Sequence, residues 1–332
     1  MITHCQDSIF IGPGTLLKAD HGETAVGSLP ALTQSILLRE GELLLLHKER
    51  KIGKSAEIDK NEKTTKPAFI SCTLPEALDF VETGHSVYFD DGKVGGEVIA
   101  RTKDELTIRI TKTKPQGSKL RSDKGINFPD SNLQVFGLTE KDKEDLKFVA
   151  KHADIACLSF VNTPEDVMQL IQELEKLGKK DELGIVLKIE TKLGFDNLTR
   201  IILEAMKAPK VGVMLARGDL AIEVGWRKMG AIQKEILGIC NASHVPVIWA
   251  TQVLESLAKK GLPSRSEITD AVNATKADCI MLNKGPHIVS TIEMLNEIIE
   301  NSQEYQIGNA PLLPKMQKIS IKPRDPMLPM VT

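Results

Sequence analysis

Apolar positions along the chain follow two regimes. Over residues 9–133 the apolar runs are short, at 9–11, 43–46, 87–89, 98–100 and 106–110. Gly-Pro-Gly at 12–14, Asp-Asp-Gly at 90–92 and Gly-Gly at 95–96 punctuate them. Short runs bounded by turn residues predict a small all-β unit, with one or two helical turns over residues 75–82. After Leu138 the period lengthens. Thr139 with Asp142 three residues on has the spacing of a capping box, and Leu146, Val149, Ala150 and Ala153 then share one helical face. A buried strand follows over 155–160. Thr163 caps the next helix with Pro164 at its first position, where a missing N–H costs nothing, and Val167, Leu170, Ile171 and Leu174 form its apolar stripe. Strands at 185–189, 211–215, 245–249 and 279–282 repeat the unit, their starts 26 to 34 residues apart, and the last helix reaches about Ile299. These strands are apolar throughout rather than alternating, as parallel strands covered on both faces are. Their alternation with helices predicts a parallel sheet in an α/β fold. On this reading the chain divides into a β-rich unit (1–136), a β/α portion (137–310) and a tail (311–332) with five prolines and no periodicity.

Composition narrows the class. The 332 residues suffice for two domains or for one barrel with an inserted piece. The formal net charge is −2, with acids and bases mixed, which predicts partners other than nucleic acid or a membrane surface. The Lys-rich run at 51–66 also carries Glu and Asp and reads as a solvated loop. No apolar run approaches the ~20 residues of a membrane helix, and residues 1–10 lack the basic-then-apolar order of a signal peptide. The five cysteines, Cys5, Cys72, Cys157, Cys240 and Cys279, are scattered, with no CxxC or Cys/His spacing for zinc. Cys157 and Cys279 fall inside apolar runs and are expected as small core residues. A reducing, cytoplasmic location is the expectation. The seven histidines lack partner spacing and read as structural or surface groups, and Trp226 and Trp249 read as core or cleft wall.

Parallel α/β folds gather chemistry at the C-terminal ends of their strands, and four of the five strand ends here are polar. The second ends with Lys188 and Glu190 on one face, then Thr191. The third runs into Arg217-Gly218-Asp219, the fourth into Ala250-Thr251-Gln252, the fifth into Asn283-Lys284-Gly285-Pro286. Glu190 and Asp219, on neighbouring strand ends, suit one Mg²⁺, a hard cation that takes few carboxylates and fills its other positions with substrate oxygens and water. Gly218-Asp219 opens a helix whose free N–H groups can hold a carboxylate or phosphate. Lys188 beside the metal can stabilise an enolate or a transferring phosphoryl group, and Thr251 can orient substrate or pass a proton. Taken singly, Lys188-x-Glu190 is also the pattern of a surface ion pair, and Arg217-Gly218-Asp219 that of a turn and helix start. Their coincidence at successive strand ends favours a site.

The blocks Val186-Leu-Lys-Ile-Glu-Thr, Met214-Leu-Ala-Arg-Gly-Asp-Leu-Ala-Ile-Glu, Pro246-Val-Ile-Trp-Ala-Thr-Gln-Val-Leu-Glu-Ser and Pro263-Ser-Arg-Ser-Glu-Ile-Thr-Asp-Ala resemble pyruvate kinase. So do Ser122-Asp-Lys-Gly-Ile-Asn-Phe-Pro and Leu138-Thr-Glu-Lys-Asp-Lys-Glu-Asp-Leu. The resemblance runs from about Val87 to Ile299. It implies a TIM-type (β/α)₈ barrel with a β-rich lid inserted after the third strand, so that this chain is a partial barrel with an N-terminal lid. It implies phosphoryl transfer from phosphoenolpyruvate to ADP in glycolysis, giving pyruvate and ATP, with Mg²⁺ and usually K⁺. By the same resemblance Lys188 is the catalytic lysine, Glu190 and Asp219 are the Mg²⁺ ligands, and the Arg217-Gly218-Asp219 backbone with Thr251 cradles the carboxylate and the reacting carbon. Lys124 is the contact to nucleotide phosphate.

Three departures accompany the resemblance. The family's three β/α units before the lid, which hold its K⁺ ligands and an arginine for the phosphate, are expected to be absent here, and Ile9-Phe10-Ile11-Gly12-Pro13 is a worn echo of the family's Ile-Arg-Thr-Gly at lid entry, with Phe10 where its arginine would be. The usual Ser-Gly-Glu-Thr after the last strand is Asn283-Lys284-Gly285-Pro286, a variant of a bacterial pyruvate-kinase-like subgroup. The family's C-terminal regulatory domain is replaced by the Pro-rich tail. Five strands cannot close an eight-stranded barrel, so a homo-oligomer or a complementing chain is one expectation. A Mg²⁺-dependent lyase acting on a pyruvate enolate, and a non-catalytic remnant that binds Mg²⁺ or a partner, are the alternative readings.

Overall fold

The computed structural model describes residues 14–19, 22–27, 35–59, 64–122, 124–131, 133 and 137–305, with 19 and 303–305 described by backbone alone. The predicted strand at 9–11, Phe10, Cys5, His4, His21, Asp123 and the tail from Pro311 lie outside these residues.

Among the described residues the N-terminal part is all β apart from one short 3₁₀ turn, Pro75–Phe80. Its strands are β1 (Leu16–Ala19), β2 (Gly22–Ala25), β3 (Ser35–Leu38), β4 (Leu43–His47), β5 (Glu57–Ile58), β6 (Thr64–Lys66), β7 (Ala68–Ser71), β8 (Ser86–Phe89), β9 (Val94–Arg101), β10 (Glu105–Lys112), β11 (Ser118–Arg121) and β12 (Ile126–Asn127). Six of them form one sheet in the order β12-β8-β9-β10-β4-β7, and β3 pairs with β11 beside it. Alternation explains the packing: Leu44 and Leu46, Val87 and Phe89, and Leu106, Ile108 and Ile110 turn inward and are fully buried in one cluster with Leu38, Leu78 and Val98. Gly96 lets β9 approach β10, since a Cβ there would sit 2.5 Å from Ile108 Cγ2. The predicted loop at 51–66 is partly a ribbon, β5 against β6. Its residues are exposed, as their polarity requires, but backbone pairing extends them.

From Leu138 the chain forms β/α units. The helices are α1 (Glu140–His152), α2 (Pro164–Lys176), α3 (Lys192–Asp196), α4 (Leu198–Ala205), α5 (Arg217–Val224), α6 (Trp226–Ala242), α7 (Glu255–Lys260), α8 (Arg265–Ala274) and α9 (Ile288–Tyr305). They alternate with β13 (Ile155–Leu158), β14 (Gly184–Ile189), β15 (Val211–Ala216), β16 (Val247–Val253) and β17 (Cys279–Leu282). The predicted Thr139 cap forms as a complete box with Asp142. Behind Pro164 the α2 cap forms from one side: the Asp166 carboxylate accepts from the Thr163 N–H at 2.8 Å, while the Thr163 hydroxyl is buried without a partner. Asp166 is buried and also accepts from the Gly137 and Asn162 backbone N–H groups, which ties the entry of this half to its first strand end.

The five strands are all parallel, and their spatial order is their sequence order. Ile185, Leu187, Ile189, Val213, Leu215, Val247 and Trp249 pack with helical residues such as Leu174, Ile202 and Ile236. A doubly wound sheet would reverse strand order and cover both faces. Sequential order with helices on one face is the arrangement of a partial TIM-type barrel. The other face carries Ile155, Cys157, Lys188, Met214 and Cys279. Ile155 is 56% exposed, and both cysteines are exposed rather than core. The expectation of buried Cys157 and Cys279 fails because parity along β13 and β17 points them away from the helices. Among the described residues the buried free thiols are instead Cys72 and Cys240. Among the described residues β13 and β17 each pair on one side only. No described helix is long and apolar enough to cross a membrane.

Candidate active site

The strand ends bring the predicted residues into one neighbourhood. At the end of β14, the Lys188 Nζ lies 2.9 Å from Glu190 Oε1 and donates to Ser159 Oγ at 2.9 Å. Glu190 is 3% exposed, and its Oε2 accepts from the Phe160 N–H at 2.6 Å. Phe160 holds that geometry at φ +52°, a left-handed conformation that costs a non-glycine residue about 1–3 kcal/mol. Gln252 and Leu254, beyond Thr251, are also left-handed, at φ +61° and +48°. Strained backbone thus collects at two strand ends that face the same region.

β15 passes into α5, which starts at Arg217. The helix has no side-chain cap, whereas α1 and α8 both begin with complete capping boxes. Its first N–H groups are therefore left for another acceptor. The Arg217 side chain turns away: Nη1 pairs with Asp270, Nη2 donates to the Thr251 carbonyl, and the guanidinium stacks 4.7 Å over the Trp249 ring. Arg217 therefore contributes backbone to the site, while its side chain locks β16 and α8 in place. Thr251 is half-buried, and a Cβ on Gly218 would meet its Oγ1 at 3.8 Å. A cavity of about 190 Å³ opens here between Asp91, Gly218, Thr251 and the α6 residues Trp226 and Met229. Trp226 is a 68%-exposed cleft wall, and Trp249 is core.

Electrostatics single out the acids. Burial raises the Asp219 pKa, and the charge of Glu190 raises it further, with the Asn127 amide opposing both. Burial pushes the Glu223 carboxyl up to about 7, again against a hydrogen bond from Asn127. A carboxylate whose ionisation a neighbouring carboxylate disfavours is relieved by a cation shared with it. The described residues contain no cluster of three or more His, Cys, Asp or Glu that would cage a metal. That donor set disfavours a closed zinc-type site and fits Mg²⁺, which takes one or two carboxylates and completes its shell elsewhere.

The lid meets this region through α5. The Asn127 Nδ2 lies 3.4 Å from both Asp219 Oδ1 and Glu223 Oε1. Lys124, two residues before β12, pairs with Asp90 at 3.0 Å, and Lys93 pairs with the same carboxylate at 3.0 Å. Against the effect of burial, these two lysines hold Asp90 below the usual carboxylate range. Lys188, Glu190, Gly218, Asp219 and Thr251 thus converge, and Lys124 stands apart on the lid turn. Sequence reasoning missed Ser159, Phe160, Asn127 and Asp270. Their partners lie 29 to 96 residues away in sequence. The signals on offer were the Ser-Phe pair at a strand end, the Asn inside the 122–129 block and the Asp inside the 263–271 block.

A parallel (β/α) sheet in sequential order, with acids, a lysine and an open helix N-terminus at its strand ends, defines a partial TIM-type barrel protein with its candidate site at those ends. The family model for the pyruvate kinase barrel domain matches residues 35–286, and the chain belongs to the pyruvate kinase family. It is 34% identical to a pyruvate kinase of Bacillus licheniformis over 259 residues, covering 76% of this chain and 43% of that protein. It is 32% identical to a pyruvate kinase of Thermotoga maritima over 276 residues, covering 80% of this chain and 54% of the relative. A pyruvate kinase of Debaryomyces hansenii is 35% identical over 236 residues, 68% of this chain and 45% of the relative. The chain spans about half the length of the curated relatives it matches.

Proposed function

We propose that this chain is a cytoplasmic phosphotransferase that moves the phosphoryl group of phosphoenolpyruvate to ADP, with residues 1–136 as lid and 137–310 as the catalytic barrel portion. The observation that carries the reading is the pairing of Lys188 with buried Glu190 at 2.9 Å, beside an Asp219 whose ionisation Glu190 disfavours. A terminal phosphate oxygen of ADP attacks the phosphorus in line, the P–O bond to the enol oxygen breaks, and that oxygen leaves as an enolate. Glu190 and Asp219 would hold Mg²⁺, which when bound supplies charge neutralisation at the phosphoryl and enol oxygens. Lys188 places a fixed positive charge where negative charge develops, its Nζ steadied by Ser159. The uncapped start of α5 offers N–H groups to the substrate carboxylate. Thr251, which lies beside Gly218, delivers the proton that converts the enolate to pyruvate. Lys124, on the lid turn, meets the nucleotide phosphates when it exchanges Asp90 for them. The open β13 and β17 edges support a completed sheet in the working protein, with further strands from an oligomer or a complementing chain.

A coupled assay for pyruvate release tests this. ADP-dependent turnover is expected, with Lys188→Met lowering it by about 10²–10³-fold, the typical effect of removing one preorganised charge donor. Retained Mg²⁺ binding with no turnover would sink the reading. Pyruvate released from an aldol substrate without ADP would replace it with a lyase.

A further inference from the structure

The lid strand β12 reaches the barrel portion through one buried side chain. Asn127 is 4% exposed and donates from Nδ2 toward both Asp219 and Glu223, while its own Oδ1 is buried without a partner. A polar atom left that way costs about 1–3 kcal/mol, and an apolar residue of similar shape would avoid it. Turning the amide over is no remedy, because it would aim Oδ1 at two carboxylates. The residue is therefore kept for its NH₂, which holds one oxygen of Asp219. Two further close approaches of the lid fall on the same stripe of α5. Gly92, in the lid turn at φ +74°, packs so closely that a Cβ would sit 2.6 Å from Ile222 Cδ1. A Cβ on Gly125 would lie 3.9 Å from Asp219 Oδ1. Asp219, Ile222 and Glu223 are spaced i, i+3, i+4, so they form one face, and the lid sits on it.

We infer that Asn127 is a positioning residue that couples the seating of the lid on α5 to cation binding at Asp219. The inference rests on the reading of Glu190 and Asp219 as Mg²⁺ ligands. With the lid seated, the amide fixes Asp219 through Oδ1 and leaves Oδ2 to the cation. With the lid lifted, that hydrogen bond is lost and the carboxylate is free to turn. Linkage makes the effect reciprocal, so a bound cation holds the lid down by the same factor that the seated lid tightens the cation.

The test titrates Mn²⁺ into the full chain without substrate and follows the free ion by electron paramagnetic resonance. Asn127→Leu is expected to weaken Mn²⁺ binding by about 10- to 100-fold, the usual effect of removing an outer partner of a metal ligand. Gly92→Ala, which lifts the lid turn off Ile222 without touching Asp219, is expected to weaken it in the same direction, and it carries the test if Asn127→Leu does not fold. Hydrogen exchange at residues 126–127 and 217–224 should slow on adding Mn²⁺ in the unsubstituted chain and not in Asn127→Leu. Equal affinity in all three chains overturns this inference alone. Weakening in Asn127→Leu with Gly92→Ala unchanged overturns the coupling. An unsubstituted chain that binds no Mn²⁺ overturns the metal reading and this inference together.

Discussion

The six-stranded sheet of the lid closes its core on itself: Leu38, Leu44, Leu46, Val87 and Ile108 are fully buried, and its edge strand β12 is two residues long and covered by α5. The five-stranded parallel sheet buries its helix-covered face just as completely, at Leu187, Val213 and Leu215. Its other face is open at Ile155, Cys157 and Cys279, and its edge strands are uncharged and apolar, Ile-Ala-Cys-Leu and Cys-Ile-Met-Leu. Natural sheets blunt free edges with charge, proline or cover. The lid edge follows that rule and the barrel edges do not, so the second region is built to be covered while the first is finished. The candidate site lies at the boundary, with Glu190 at a strand end of the open sheet, Asp219 on α5 and Asn127 on the closed sheet.

Thiol labelling should break the comparison most widely. Cys157 and Cys279 are exposed, whereas Cys240 is buried and its thiol is pushed up to about 12 by that burial. A labelling-rate difference of about 10³-fold or more is expected between exposed Cys157 and Cys279 and buried Cys72 and Cys240 in the native protein. Labelling of Cys157 and Cys279 as slow as that of Cys72 and Cys240 would show that the open face is covered in solution. Next in size, Ile108→Ala in the lid core should lower unfolding free energy by about 2–5 kcal/mol in denaturant titrations. Ile155→Ala on the open face should change it by less than about 0.5 kcal/mol. A large loss at Ile155 would mean the face is buried.

Glu223 sharpens the boundary between the two regions. Its folded pKa of about 7 lies above the ordinary 4.5, so the native state holds its proton more tightly than the unfolded chain does. That contribution is fully present below about pH 4.5 and is lost as pH rises through about 7. Metal-free protein should lose about 1–3 kcal/mol of stability across that window, and Glu223→Gln should flatten the profile. An unchanged profile would mean that Glu223 is hydrated. The smallest effect is expected at Thr139→Ala, which removes the α1 capping box and should cost about 1 kcal/mol by thermal unfolding, with the lid core untouched.

The β/α half was legible because each unit announces itself locally. Thr139 and Thr163 mark helix starts, four-residue apolar periods mark helix faces, and Lys188, Glu190, Asp219 and Thr251 stand at strand ends by count alone. The lid was less legible. β3 and β11 are four residues each and pair across about eighty positions, and the 51–66 run gains its ribbon from backbone pairing that its side chains do not encode.

What the sequence determined by itself is therefore the parallel architecture, the strand-end set of acids and lysine, and the family resemblance, because these depend on residues within a few turns of one another. Only the tertiary structure decided which face each strand turns to the helices, and so exposed Cys157 and Cys279 where an apolar run had suggested core. Only it brought Ser159 to Lys188, the Phe160 N–H to Glu190, and Asn127 from the lid to Asp219. Contacts across 29, 30 and 92 residues are set by the packing of whole layers, and no local pattern of apolar and polar positions carries them.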